Sequence, residues 1–465
     1  VREAPQLASL VKSYRAGYLP QERREIEQEL FSGRLLGVTA TNALELGVDV
    51  GSLDATILVG YPGTIASTWQ QAGRAGRGVR HSLAVLIGLD NPLDQFFMRH
   101  PQELFGRSHE HALINPGNVH ILEKHLPCAA HEMPLSNQRG PNRLDDEALF
   151  GPGFVEAMIG LERKGILEYR NGRWYYMGFG YPAEEVNIRS ISGGSIRLLN
   201  EAEGYRALEE IELTTAFSRA HPGAIYLHQG ESYLVTDLDW EMGLAYLRPV
   251  EVNYYTLPRQ INDVSIIRSL RHQQLPATTA YLGQVRVTEQ VVGYKRVQQF
   301  TETTLSVEYL DLPAQSFATV ALWFDVPPEI VHRRTGLETR RTAQRRLDFH
   351  GGLHAVEHAA IGILPLFAMC DRLDIGGLST PHHPDTGQAQ IFIYDAFPGG
   401  VGIAEKGFEL LTELWKATLE AIGECPCESG CPSCIQSPKC GNNNEPLDKE
   451  AAVLILRGLL ERCGR

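Results

Sequence analysis

Residues 69–78 read Trp-Gln-Gln-Ala-Gly-Arg-Ala-Gly-Arg-Gly, and about thirty residues upstream residues 39–49 read Thr-Ala-Thr-Asn-Ala-Leu-Glu-Leu-Gly-Val-Asp. Arg74 and Arg77, three apart and expected on one helix turn, present two planar cationic forks to one spot, while the small residues Gly73, Ala75 and Gly76 beside them let backbone approach a ligand closely. Stabilising the charge that develops on a transferring γ-phosphate requires such an arrangement. Around it, the short apolar runs 35–40, 55–60 and 83–89 have the composition of parallel strands buried on both faces. Pro20 opens a helix, and the arginine-bearing helix should start at Ser67 or Thr68. In a sheet of this kind ligands bind at the carboxyl ends of strands, where Thr39, Thr41, Asp49 and Arg74 are expected.

The pattern Gln70-x-x-Gly73-Arg74-x-Gly76-Arg77 resembles motif VI of superfamily 2 helicases, and Thr39-Ala-Thr41 through Gly47-x-Asp49 resembles motif V. The resemblance implies that Arg77 is the finger on the γ-phosphate, with Arg74 its partner. Gln70 orients the attacking water or couples the two lobes. Asp49 meets the ribose of ATP, with Gly47 and Gly73 beside the nucleotide. Thr39 and Thr41 hold the phosphates of a tracked single strand, a contact without sequence information. A helicase motor also needs a first lobe with a Gly-x-x-x-x-Gly-Lys-Ser/Thr loop and an Asp-Glu pair for Mg²⁺. Neither pattern is found in these 465 residues, and the first residue is Val rather than Met. The expectation is therefore the back half of a helicase, a fragment whose ATP and Mg²⁺ site is completed by a first RecA-like lobe in cis or in trans, and which hydrolyses no ATP alone.

The length accommodates three or four domains. No run of eighteen apolar residues occurs, which excludes a membrane-spanning helix, and residues 1–5 do not read as a secretory signal. A cytoplasmic, nucleoid-associated bacterial protein is the expectation. The formal charge of −13 does not advertise nucleic-acid binding, although a local basic groove escapes that measure. The clearest basic run, 332–346, holds six arginines, among them Arg333 and Arg334, and one Glu. It is either a solvated helix face or a phosphate-contacting surface.

Further along, 154–164 reads as a helix closed by Gly165, followed by a hairpin whose strands flank Arg170-Asn171-Gly172-Arg173. A helix followed by a hairpin tipped with Arg170 and Arg173 is the plan of a winged helix that touches DNA. Short strands at 224–227, 233–237 and 250–255 fit a small antiparallel barrel. The fold class expected is α/β multidomain: a partial second RecA-like lobe over 1–105, linker helices and a winged helix over 106–186, a small β-barrel over 187–275, and a mixed α/β zinc-binding domain over 276–465.

Five of the eight cysteines fall between 425 and 440. Without an export signal this clustering points to metal, whereas surface thiols or disulfides would need an oxidising compartment. Cys425, Cys427, Cys431 and Cys434 are the expected ligands of one structural, tetrahedral Zn²⁺, with Cys440 the spare. This tail, together with His354-Ala-Val-Glu357-His358 and Tyr394-Asp395-x-x-Pro398-Gly399-Gly400-x-Gly402, resembles the C-terminal domain of the mitomycin repair factor A helicases, relatives of the RecQ4-like helicases of yeast and plants. The resemblance implies a bacterial 3′-to-5′ DNA helicase of bulky-adduct repair, with single-stranded DNA and 3′-tailed duplex as partners. Further readings stay open. The fragment could be a non-catalytic DNA-binding and scaffolding module. His354-x-x-Glu357-His358 also matches an inverted zinc-peptidase signature. The same residues could instead take a DNA or metal role, or satisfy one another and pin the turn at 398–402, which is either a tight turn or a phosphate-binding nest.

Overall fold

The computed structural model describes residues 5–45, 53–76, 81–106, 108–110, 112–138, 145–186, 191, 194–332 and 347–461. Gly47, Asp49, Arg77, Arg333 and Arg334 lie outside the described residues.

The N-terminal part holds two parallel strand pairs. Val11–Tyr14 pairs with Gly37–Ala40 across the helix Pro20–Phe31, and Ala55–Val59 pairs with Leu83–Ile87 across the helix Ile65–Ala72. Parallel pairing needs a crossover, and each helix supplies one. Burial on both faces is not observed: Ile57 and Val59 are 65 % and 68 % exposed and Leu83 60 %. Among the described residues the second face of this strand pair carries no covering layer. The arginine-bearing helix starts at Ile65, earlier than expected, because the Thr64 hydroxyl accepts from the Ser67 N–H and caps it. It also ends earlier, with Gly73 as its C-cap, so Arg74 lies in the turn beyond the helix and not within it.

The winged helix forms as expected. Asn118 caps the helix Val119–Glu132, and the helix Phe154–Arg163 precedes the hairpin Leu167–Arg170/Arg173–Tyr176. Asn171 and Gly172 both take positive φ (53° and 76°), the requirement of a two-residue type I′ turn. Leu126, Phe154, Met158, Leu161, Leu167 and Trp174 close its core.

The region expected to be an antiparallel barrel is a five-stranded mixed sheet. Its order is Arg206–Glu212, Ser195–Asn200, Leu244–Pro249, Glu231–Asp239, Ile225–His228, and the 195–200/244–249 pair is parallel. Among the described residues the end strands of that path do not pair with each other, so it does not close as a barrel. The strand expected at 250–255 falls on the joint between two sheets.

The boundary expected at 275/276 runs through a hairpin. Tyr254–Gln274 pairs along its length with Thr279–Gln298, and both belong to an antiparallel six-stranded sheet completed by Thr304–Tyr309, Gln315–Asp325, Gln390–Asp395 and Ile375–Thr380. The helices Phe349–Ile363, Leu411–Glu424 and Lys449–Glu461 pack on it, with Leu322, Phe324, Ile391, Ile393, Val356, Trp415 and Ile455 fully buried between. On the opposite face Trp323 stacks on Phe392 and on Tyr281.

Candidate nucleotide edge and metal centre

Thr39 is the penultimate residue of the strand Gly37–Ala40, and Thr41 caps the 3-10 turn Asn42–Leu44 without spending its hydroxyl on it. Both are exposed, as is Gln70 on the following helix. Glu45, which the motif reading had passed over, joins the two segments. Its carboxylate accepts from the Ser67 hydroxyl (2.8 Å) and Gln71 Nε2 (3.0 Å), and its carbonyl accepts from Arg74 Nη2. Arg74 is thereby fixed relative to the 39–45 segment before any ligand arrives. The helix start is held from the linker side, where the Glu110 carboxylate accepts from the Ile65 N–H (2.6 Å) and Ala66 N–H (3.2 Å). Gly73 permits the turn, since a Cβ there would sit 2.9 Å from the Trp69 carbonyl.

At the wing, Arg170 is exposed and lies over the Tyr175 ring at 4.8 Å, while Arg173, its cross-strand partner, is half-buried.

The four expected cysteines converge. Sγ–Sγ distances are 3.6 Å for Cys425–Cys427, 3.4 Å for Cys425–Cys431, 3.5 Å for Cys427–Cys434 and 3.8 Å for Cys431–Cys434. A tetrahedron with Zn–S bonds of about 2.3 Å has edges of about 3.8 Å, so the set fits Zn²⁺. Gly430 (φ 110°) makes the knuckle turn, and the Cys431 N–H donates to Cys434 Sγ at 3.3 Å. Burial pushes the Cys427 thiol up, but thiols of Cys434, Cys425 and Cys431 donating to it bring it down to about 7. Lys449 Nζ lies 3.4 Å from Cys427 Sγ and donates to the carbonyls of Cys425 (2.8 Å) and Cys427 (2.7 Å). This cation at the start of the last helix offsets the negative charge of a four-thiolate site. The spacing of the cysteines had named the ligands, whereas nothing in it pointed to Lys449.

The turn at 398–402 is a nest already filled from within. Asp395, at 0 % exposure, accepts from the N–H groups of Val401 (2.6 Å), Gly402 (3.0 Å), Ile403 (3.3 Å) and Ala404 (2.7 Å). Burial raises its pKa, and the four amide donors oppose that shift. Asn118 of the winged helix donates to the Pro398 (2.9 Å) and Gly400 (2.8 Å) carbonyls, so the turn joins two domains. His354, Glu357 and His358 do not pin it. His354 Nδ1 contacts the Pro446 carbonyl (2.9 Å), His358 Nδ1 contacts the Ile435 carbonyl (3.0 Å), and Glu357 accepts from the hydroxyl and N–H of Ser379. Burial raises Glu357 to about 7 and holds His358 neutral, down to about 3. In a zinc peptidase of this signature the Glu serves as general base, whereas here the Glu357 carboxylate is engaged with Ser379 of the sheet and so is taken up away from that role.

Three family models match in the order of these domains. They are the helicase conserved C-terminal domain over residues 9–79, the winged helix domain of the ATP-dependent helicase HRQ1 over 114–191, and the MrfA Zn-binding domain over 356–435. Its matched domains are those of the MrfA and Hrq1 helicases. The chain is similar to the ATP-dependent helicase YprA of Bacillus subtilis, at 36 % identity over 91 % of this chain and 54 % of the relative. It is 32 % identical to the ATP-dependent helicase hrq1 of Schizosaccharomyces pombe, over 98 % of this chain and 43 % of that one. Among solved structures, the helicase MrfA bound to DNA matches with a TM-score of 0.62 and 33 % identity, over 97 % of this chain and 57 % of that chain. The chain thus spans about half the length of the relatives it matches. The Cys425–Cys434 cluster, inside the matched zinc-binding domain, is its structural zinc site. No helix among the described residues is long and apolar enough to cross a membrane.

Proposed function

We propose that the chain is the C-terminal half of an ATP-dependent 3′-to-5′ DNA helicase or translocase of DNA repair, supplying the arginine edge of the ATP site and the domains that guide DNA. The observation that carries this reading is the Glu45 junction, which locks Arg74 against the Thr39–Thr41 segment and so ties a nucleotide-sensing edge to a strand-contacting one. Coupling of that kind is what a translocating motor requires. In this reading Arg77 and Arg74 meet the γ-phosphate, Gln70 orients water, Asp49, Gly47 and Gly73 line the nucleotide, and Thr39 and Thr41 hold DNA phosphates. Arg170, Arg173, Arg333 and Arg334 add phosphate contacts. Repair and polarity rest on the resemblance to the mitomycin repair factor A helicases, and DNA as the partner is supported by the DNA-bound relative.

The test is fluorescence anisotropy of the chain with a 3′-tailed and a 5′-tailed duplex at about 50 and 200 mM salt, where phosphate contacts cost orders of magnitude in affinity. Salt-sensitive binding that favours the 3′ tail is expected. ATP turnover should appear only when a first lobe with a phosphate loop is supplied; turnover by the chain alone contradicts the division of the site. A second reading, a non-catalytic DNA-binding module, is favoured by the absence of a phosphate-loop sequence in these residues. It prevails if binding persists and no first lobe restores turnover.

A further inference from the structure

Beside the four-cysteine site, a second group of ligand-type side chains meets where the tail folds back on the central helix. His354 and His358 are one turn apart on the helix Phe349–Ile363, with ring centroids 4.2 Å apart. Cys440, the cysteine left over from the zinc knuckle, places its Sγ 3.4 Å from His354 Nε2. One ligand atom from each of the three lies within 4.8 Å of the others. For Zn–N near 2.0–2.1 Å and Zn–S near 2.3 Å, tetrahedral geometry puts N and S about 3.6 Å apart, close to the separation of His354 and Cys440.

The tautomers are fixed by the backbone. Pro446 and Ile435 offer carbonyl oxygens to the two Nδ1 atoms, and a carbonyl only accepts, so both Nδ1 atoms carry hydrogen. Both Nε2 atoms therefore hold lone pairs. Orientation of the non-ligating ring nitrogen by a backbone carbonyl is the usual support of a metal-bound histidine. Cys440 Sγ also accepts from the Asn444 N–H (3.2 Å), which holds the sulfur in place. A single S–H proton can serve one Nε2 at a time, whereas a divalent cation takes both lone pairs and the sulfur. All three residues are largely withdrawn from solvent, as a resident ion needs. His354 and Cys440 both fall outside the 356–435 span of the matched zinc-binding domain.

We propose that His354, His358 and Cys440 form a second metal site, distinct from the four-cysteine zinc, which takes Zn²⁺ or a similarly thiophilic divalent ion with one coordination position left for water. The ion ties the 435–446 segment, between the zinc knuckle and the last helix, to the middle of the central helix. The soft sulfur and two neutral imidazoles select against Mg²⁺ and Ca²⁺.

The test counts metal. The purified chain, loaded with excess Zn²⁺ and desalted, is expected to hold two equivalents by mass spectrometry of the metal, and Cys440→Ser one. Zinc K-edge absorption of the unaltered chain, which needs no variant to fold, is expected to show a mixed nitrogen and sulfur shell. One equivalent with an all-sulfur shell would overturn the proposal and leave the trio as a Cys–His hydrogen bond. Two equivalents retained by Cys440→Ser would overturn this ligand set.

Discussion

Arg15 Nη2 lies 2.8 Å from Glu209 Oε2, although 194 positions separate them in the chain. The pair joins the first strand–helix unit to the middle sheet. Glu209 also accepts from the Tyr226 hydroxyl (2.9 Å) and contacts His228 Nδ1 (3.2 Å), while the Arg15 guanidinium lies 5.3 Å from the Tyr18 ring centroid. The carboxylate is nearly buried, with a side-chain exposure of 6 %, and Arg15 is at 21 %. Such a node ties the two domains to each other.

Glu209→Gln leaves Arg15 without its charge partner and is expected to destabilise the chain by about 3 kcal/mol, the lower end for breaking a buried pair because Arg15 keeps some water contact. Burial alone would raise the Glu209 pKa, but His228, Arg15 and Tyr226 together bring it below the usual value. A carboxyl with a depressed folded pKa contributes stability above its unfolded value of about 4.3 and loses it as pH falls through the folded value. Urea unfolding of both forms at pH 7 and below pH 4 checks this: the gap should close at the acid end. An equal gap at both would mean that packing, not charge, is at stake.

Cys434→Ser is expected to remove the structural zinc and the cooperative unfolding of the C-terminal domain. Cys434 is at 0 % exposure and its neighbour Ile435 at 1 %, so the metal holds a buried segment in place. Thermal unfolding followed by near-UV circular dichroism reads the loss; an unchanged transition would assign the site no structural role.

Asp395→Ala strips an acceptor from four backbone N–H groups in the interior. A cost of about 3 kcal/mol or more is expected, since each lost partner leaves a buried donor unmet. Because Asn118 reads the same turn, loosened contact with the winged helix should follow, measurable as faster amide exchange at 398–404 and at 118–122.

In a lobe-complete protein, Arg77→Ala is expected to lower ATP turnover about a thousandfold or more with little change in nucleotide affinity, as for other arginine fingers. Arg74→Ala should lower turnover as well and also loosen the 42–45 segment through Glu45. Steady-state kinetics separate the two, and equal losses in kcat and nucleotide affinity for Arg77→Ala would remove it from the role of finger.

Arg170→Ala and Arg173→Ala should each reduce the salt dependence of DNA affinity by about one phosphate contact and weaken binding evenly across sequences. An unchanged slope would take the wing off the DNA.

The sequence alone carried what depends on spacing within a short stretch. The cysteine ligand set, the Asn171-Gly172 turn, the wing's helix and the motif segments were legible because neighbours along the chain decide them. The long hairpin of Tyr254–Gln274 and Thr279–Gln298 was not. Its first strand is mostly exposed and polar, with no period-2 alternation to mark it, and pairing with the second strand is what holds it extended. For the same reason the domain boundary was set one strand too late, and a mixed sheet was read as a barrel: register between strands is settled by tertiary pairing. Motif resemblance singled out Asp395, Glu357 and His354, and spacing left Cys440 over, but only folding decided that Asp395 fills its own glycine nest while Glu357 meets Ser379 and His354 and His358 turn toward Cys440. Local chemistry is written in the order of residues, whereas which lone pairs face each other is written in the packing of distant elements.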